Sequence, residues 1–172
     1  IAAFVAGDIA EGLSQFERAK ELLDPQRDLR MWFRYQSISA RWRLNSGITD
    51  GVEDMIQTAS MGLAFLGNSY DIVELRQVEA MYALRQGDAI EAARIMSEVL
   101  DDPALGAEGM SRGGSELILA HAFSALGREE SARTRFQLAA MQFEVEGRFR
   151  AAVDAWRRSV GEKTPNSFLT QG

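Results

Sequence analysis

Four arginines lie on one side of a single segment and could bind negatively charged groups. Arg27, Arg30, Arg34 and Arg41 fall within an arc of about 60° when residues 27–46 are drawn as a helix at about 100° per residue. The segment carries five arginines and one aspartate, a local charge of +4 in a chain of net charge −6. Arginine binds carboxylates and phosphates through paired hydrogen bonds. One interpretation is that these side chains bind an acidic ligand, a peptide C-terminus or an acidic partner helix. The other is that they form ion pairs with acids on neighbouring helices, and both interpretations stay open.

Two apolar strips flank the arginines on the same helix. A helix that lies between two neighbours needs two buried strips and one exposed seam, and the arginines occupy that seam. The strips consist of Leu29, Phe33, Ala40 and Leu44 on one side, and of Met31, Tyr35, Ile38 and Trp42 on the other.

Other residue types that could do chemistry do not form a catalytic or metal-binding pattern. His121 is the single histidine, and no nearby acids give it ligand spacing. The glycine-rich stretch at residues 109–114 lacks the Lys-Ser/Thr ending of a phosphate loop. Gly113-Gly114-Ser115, next to Arg112, could hold an anion at a helix start but is more typical of a flexible loop. Acid pairs such as Asp101-Asp102 and Glu129-Glu130 are typical of solvated helix ends. The sequence predicts no enzyme, cofactor or metal site.

Composition and charge narrow the class of protein further. The chain has 46% hydrophobic and 26% charged residues and only three prolines, which favours a folded helical protein. Its acidic balance disfavours binding to nucleic acid or to anionic membranes. Cysteine is absent, and no apolar run is long enough to span a bilayer, so we expect a cytoplasmic protein. The opening Ile1 to Val5 lacks a Met and a basic region, so we expect no signal peptide. It is typical of the end of a helix whose start is missing, so we expect a fragment of a longer chain.

Glycines recur at a fixed spacing along the whole chain. Gly7, Gly47, Gly87 and Gly127 are each forty residues from the last, and Gly67 and Gly147 lie halfway between. Glycine just after a helix supplies the left-handed conformation that ends it. Aligned columns of residues keep the same register: Ala40, Ala80 and Ala120; Gly12, Val52, Ala92 and Ala132; Phe16, Ile56, Met96 and Phe136; and Ala19, Ala59, Val99 and Ala139. This alternation of small and large residues predicts stacked helical hairpins.

The spacing predicts about eight helices after a short initial stub at residues 1–6. They cover residues 8–23, 28–46, 49–66, 69–86, 88–101, 108–126, 128–146 and 148–160. Asp28, Ser69 and Asp88 are expected to be capping or first-turn residues. Residues 102–114 give the weakest helix signal because of Pro103 and four glycines. The predicted domain covers residues 1–161, and residues 162–172 form a tail.

The columns resemble the tetratricopeptide family. The best matches run from Gly7-Asp8 through Phe16, Ala19 and Pro25, and from Gly87-Asp88 through Ala92, Met96 and Pro103. The forty-residue period differs from that family's usual length of about 34 residues. The resemblance implies an all-α, right-handed superhelical solenoid of antiparallel helical hairpins that binds a protein or peptide in its concave groove.

The family's groove positions can be carried over relative to the alanine column. They imply a groove formed by the first helix of each hairpin. One end of this groove carries polar and arginine residues, and the other end is more apolar. In three successive repeats they fall on Arg34, Ser37, Arg41 and Asn45, on Glu74, Gln77, Met81 and Arg85, and on Gly114, Leu117, His121 and Ala125. His121 is equally expected to be a packed helix residue.

Residues 125–133, 143–148 and 151–158 are similar in style to the C-terminal repeats of bacterial helix-turn-helix regulators. That likeness implies a sensor array that binds a peptide or small effector, or forms a homodimer, and thereby alters DNA binding elsewhere in the chain. The alternative is a scaffold or chaperone-like adaptor for a protein partner with no role in transcription. Exposed apolar residues at the ends of the stack, such as Trp156, Val160 and Phe168, are the expected means of dimerisation or of capping.

Overall fold

The structure, a computed structural model, describes residue 3, residues 8–106 and residues 112–162. Within these residues every regular element is a helix, which confirms the all-α prediction. Nine helices are present in this part of the chain: α1 Ile9–Leu22, α2 Leu29–Asn45, α3 Val52–Leu66, α4 Ser69–Arg85, α5 Ala89–Asp101, α6 Pro103–Gly106, α7 Arg112–Ala125, α8 Glu129–Val145 and α9 Phe149–Ser159. The predicted stub at residues 1–6, except helical Ala3, and the tail beyond Glu162 lie outside the described residues.

The helix ends follow local sequence signals. Asp28 and Asp88 cap α2 and α5, and each side chain accepts a hydrogen bond from a backbone N–H three residues later. Ser69 is the first residue of α4, within the first turn as predicted, and Asn68 is the cap. Four glycines after α2, α4, α7 and α8 have φ between +71° and +83°, as the repeat predicted: Gly47, Gly87, Gly127 and Gly147. Gly67 differs, because it ends α3 in an extended conformation.

Residues 113–115 belong to the helix that was predicted at residues 108–126, and the flexible loop also predicted there is wrong. Gly113, Gly114 and Ser115 lie buried inside the first turns of α7. A Cβ atom at Gly113 would be 2.6 Å from the ring of Phe143 on α8, so the glycine lets the two helices approach closely. Tertiary packing, rather than local preference, therefore decides this segment.

The hairpins pack around two core clusters. α2 packs against α3, α4 against α5, and α7 against α8, while further contacts join α2 to α4 and α4 to α7. One cluster of buried apolar residues spans α2 to α5 and α7, and a second spans α7, α8 and α9. The alanines of the repeat columns lie at these contacts with at most 1% of their surface exposed: Ala40, Ala59, Ala80, Ala92, Ala120, Ala132 and Ala139. The repeat register therefore marks the core, except at Ala19 on α1, which is exposed.

Candidate functional site

Two of the predicted arginines bind one buried carboxylate. The Nε and Nη2 of Arg30 donate to Oδ2 of Asp71 at 3.0 and 2.6 Å, and Nε of Arg34 lies 2.9 Å from the other carboxylate oxygen. The Asp71 side chain is 1% exposed, whereas those of Arg30 and Arg34 are 45% and 32% exposed. Two guanidinium groups thus share one negative charge, and one positive charge is left over where α2 meets solvent.

Asp71 is held in place by the start of α4. The side chain of Asn68 accepts from the Asp71 backbone N–H at 3.0 Å, and the Asp71 carboxylate accepts from the Asn68 N–H at 3.3 Å. This reciprocal pair is a capping box. A carboxylate in the first turn also interacts favourably with the helix dipole. The same group therefore caps α4 and orients both arginines.

Arg41 begins a chain of hydrogen bonds across three helices. Its Nη2 donates to Oε1 of Gln77 at 2.8 Å and to the Glu74 carbonyl at 3.3 Å, and its Nε lies 3.4 Å from the Glu74 carboxylate. Gln77 in turn donates to Oγ of Ser115 at 2.9 Å. Burial lowers the pKa of Arg41, and Glu74 opposes that shift. The network joins α2, α4 and α7 along the face that the sequence assigned to the groove.

Several polar atoms on this face have no hydrogen-bond partner among the described residues. They are Ser37 Oγ, Asn45 Oδ1 and the Nε atoms of Arg34 and Arg41. The Arg34 Nε and its acid are close enough for an ion pair, but the N–H is not aligned for a hydrogen bond. A buried polar atom without a partner costs about 1–3 kcal/mol. These atoms are enclosed, so they lower the stability of the packed face rather than offer contacts to a bound molecule.

The other predicted groove residues do not line an open surface. Met81 and Leu117 are packed in the two core clusters, and Ser37, Asn45 and Gln77 are also buried. The expected exposed strip is wrong at these positions, because α4 packs against α2 and α7 packs against α4 on this face.

The remaining two predicted positions lie at the margins of the face. His121 lies edge-on to the Phe136 ring with centroids 5.2 Å apart. Burial lowers its pKa to about 3, with a further contribution from Arg158. Arg85 is exposed and donates to the Leu44 carbonyl at 3.0 Å.

Of the two interpretations of the arginines, the structure shows pairing with a neighbouring helix. The binding of a ligand stays a prediction. Sequence reasoning missed Asp71 and Ser115 as parts of the site. The spacing from Asn68 to Asp71 is a capping-box signal and could have placed the carboxylate at the start of α4.

An apolar pocket lies beside the arginines. It has a volume of about 480 Å³ and lies between α1 and α2. Its lining includes Phe16, Leu22, Met31, Tyr35 and Ile38. The Tyr35 hydroxyl donates to the Phe16 carbonyl at 3.0 Å and ties the two helices together. Around α2, Met31 and Ile38 lie about 40–60° from Arg34, so the apolar pocket and the arginines occupy adjacent sides of the helix.

The described residues contain no group of three or more His, Cys, Asp or Glu side chains that could hold a metal ion. None of the described helices is both long and apolar enough to cross a membrane. The chain was compared with protein-family models, with curated proteins and with solved structures, and none of the three comparisons found a match.

Proposed function

We propose that this chain is a tetratricopeptide-like solenoid that binds an acidic segment of a protein or peptide at α2. The excess positive charge of Arg30 and Arg34 over Asp71 carries the proposal. The contacts that link α2, α4 and α7, the first helices of successive hairpins, support the solenoid arrangement.

The ligand has two requirements. A carboxylate binds the solvent-facing side of the Arg30 guanidinium, which uses only part of its hydrogen-bonding capacity on Asp71. An apolar side chain enters the neighbouring pocket and contacts Met31 and Leu22. Leu22 is 87% exposed, so covering it adds hydrophobic stabilisation. An acidic peptide with an apolar residue close to a carboxylate meets both requirements.

Binding of a labelled octaglutamate peptide, followed by fluorescence polarisation at about 0.15 M salt, tests the proposal. A second probe replaces two central glutamates by leucine and should bind more tightly. Arg30→Gln should weaken binding of both about fivefold, as expected for loss of a partly exposed charged contact. Arg76→Gln is the matched control, because its side chain is 47% exposed and pairs with Glu79 elsewhere on α4. Equal effects of the two variants, or no binding of either probe, would refute the site.

The wider role proposed for the chain is that of the cytoplasmic sensor region of a bacterial helix-turn-helix regulator. Its support is the sequence likeness of residues 125–158 to such regulators. The acidic net charge fits a region that senses a ligand rather than touching DNA. In the complete protein, an acidic peptide that binds at α2 should change affinity for operator DNA, measured by gel shift. A complete protein that binds the peptide and has no DNA affinity would instead be a scaffold or adaptor.

A further inference from the structure

Helix α9 is apolar on two adjoining sides, and its charged residues occupy the third side. Its inner side carries the small buried residues Ala151, Ala152, Ala155 and Ser159, which allow close packing on α8. Its outer side carries a stripe of large residues at spacings of three and four: Phe149, Val153 and Trp156, followed by Val160 directly after the helix. Phe149 is 68% and Val160 72% exposed. Together the two sides span an arc of about 200°, whereas a surface helix with one packing partner needs an apolar arc of only about 100°.

The repeat register shows what covers the equivalent positions on earlier helices. Position 153 corresponds to positions 33, 73 and 113 at successive steps of forty residues. Phe33 packs over Gly62 of α3, and Gly113 packs under Phe143 of α8. In these hairpins the position therefore faces the second helix of the same hairpin. Val153 is 48% exposed and has no such helix among the described residues.

The charges of the helices indicate what would fit there. The second helices of the hairpins, α1, α3, α5 and α8, all carry more acidic than basic residues. Helix α9 carries three arginines and one aspartate, a net charge of +2. Arg150, Asp154 and Arg157 line a pocket of about 530 Å³ together with Phe149 and Val153. The outer stripe is thus an apolar surface bordered by Arg150 and Arg157, of which Arg157 also forms an exposed ion pair with Glu162 at 3.8 Å.

We propose that the outer face of α9 binds an acidic amphipathic helix of a partner protein. That helix lies antiparallel to α9. It takes the position that the second helix occupies in the other hairpins of the fold. A second copy of α9 fits less well, because its own arginine edge would meet Arg150 and Arg157. Residues 163–172 also fit less well, because they contain Lys163 and no acid. The inference does not depend on the proposed function of α2.

The probe is a labelled synthetic peptide with the sequence of residues 88–102, whose central part forms α5 and occupies the equivalent position against α4. A side-chain cross-link between positions 94 and 98, both solvent-facing in α5, holds it helical, since isolated helices of this length are marginally stable. Four acids remain in the peptide after the cross-link. Fluorescence polarisation with the full chain should show saturable binding.

Val153→Glu should weaken binding at least tenfold, because it places a carboxylate in the apolar contact and against the acidic peptide. Ile90→Glu on α5 is the matched control, since Ile90 is 72% exposed away from this face, and it should leave binding within about twofold. Reversal of Arg150 and Arg157 to Glu should abolish binding of the acidic peptide. A peptide with its four acids changed to lysine should then bind this double variant. The rescue shows that loss of binding did not come from misfolding.

Three results would overturn the proposal. The first is absence of peptide binding, or binding that Val153→Glu and Ile90→Glu affect equally. The second is a dimer, detected by sedimentation equilibrium, that dissociates with Val153→Glu but not on addition of the peptide. A second copy of the chain would then cover α9. The third is binding that occurs only after removal of residues 163–172, because that segment would then be the occupant.

Discussion

Replacing Asp71 by asparagine separates the two roles of the arginine cluster. The substitution keeps the shape of the side chain and one oxygen that can accept the Asn68 N–H of the capping box. It removes the negative charge that Arg30 and Arg34 share. Stability and anion binding should therefore change in opposite directions.

The loss of stability can be worked from the contacts. Hydrogen bonds to a charged group are worth about 1 kcal/mol more than neutral ones, and the substitution loses that difference toward Arg30. Loss of the ion pair with Arg34 adds up to about 1 kcal/mol. Because these side chains are one third to one half exposed, solvent screening reduces the sum. The lost interaction with the dipole of α4 adds about 0.5 kcal/mol. A total of about 2 kcal/mol lowers the Tm by about 4–8 °C for a chain of this size.

Binding should become stronger, because both guanidinium groups are released from their internal acid. The Kd for octaglutamate should fall at least threefold, measured by fluorescence polarisation beside a thermal melt followed by circular dichroism. Asp54→Asn is the control, since Asp54 lies exposed in the first turn of α3 and should change the Tm by under about 2 °C. A variant with an unchanged Tm, or with weaker peptide binding, would refute the account of the cluster.

Three further predictions concern packing, pH and backbone conformation. Gly62→Ala should lower stability by about 1 kcal/mol in urea titrations, because the clash of its Cβ with the Phe33 ring outweighs the gain in helix propensity. Adding Phe33→Leu to this variant should restore most of the lost stability. Absence of this rescue would contradict the contact between Gly62 and Phe33. The pKa of His121 falls from 6.5 to about 3 on folding. Its contribution to the free energy of unfolding should therefore be fully present above about pH 6.5 and decrease by up to about 1.4 kcal/mol per pH unit below that. His121→Gln should reduce the slope of the unfolding free energy against pH, and an unchanged slope would exclude His121 as its source. Gly87→Ala should cost about 1 kcal/mol, because φ is +83° in the turn after α4, and a neutral effect on the Tm would contradict that conformation.

Local signals predicted most of the fold. Each predicted helix has a counterpart in the structure, because caps such as Asp28 and the turn glycines are short-range features. The site was less predictable. Arg30 could be recognised as basic and solvent-facing, but its partner Asp71 is 41 residues away on another helix. A pairing of that kind depends on how far one helix is shifted against the next, which no local pattern determines. The loop expected at Gly113 failed for the same reason, since Phe143 is what makes a helix favourable there.

The hydrogen bonds from Arg41 through Gln77 to Ser115 fix the alignment of α2, α4 and α7 more closely than apolar contacts alone do. Apolar side chains tolerate small shifts of one helix along another, whereas a buried amide that bridges two polar partners is satisfied in one alignment only. The three helices are thus fixed in register, and opening α2 leaves a polar group of α4 without its partner. Repeat stacks are stabilised by contacts between neighbouring units, and polar bridges between successive units strengthen that coupling. We therefore expect the backbone amides of α2, α4 and α7 to exchange their protons at similar rates, measured by native-state hydrogen exchange.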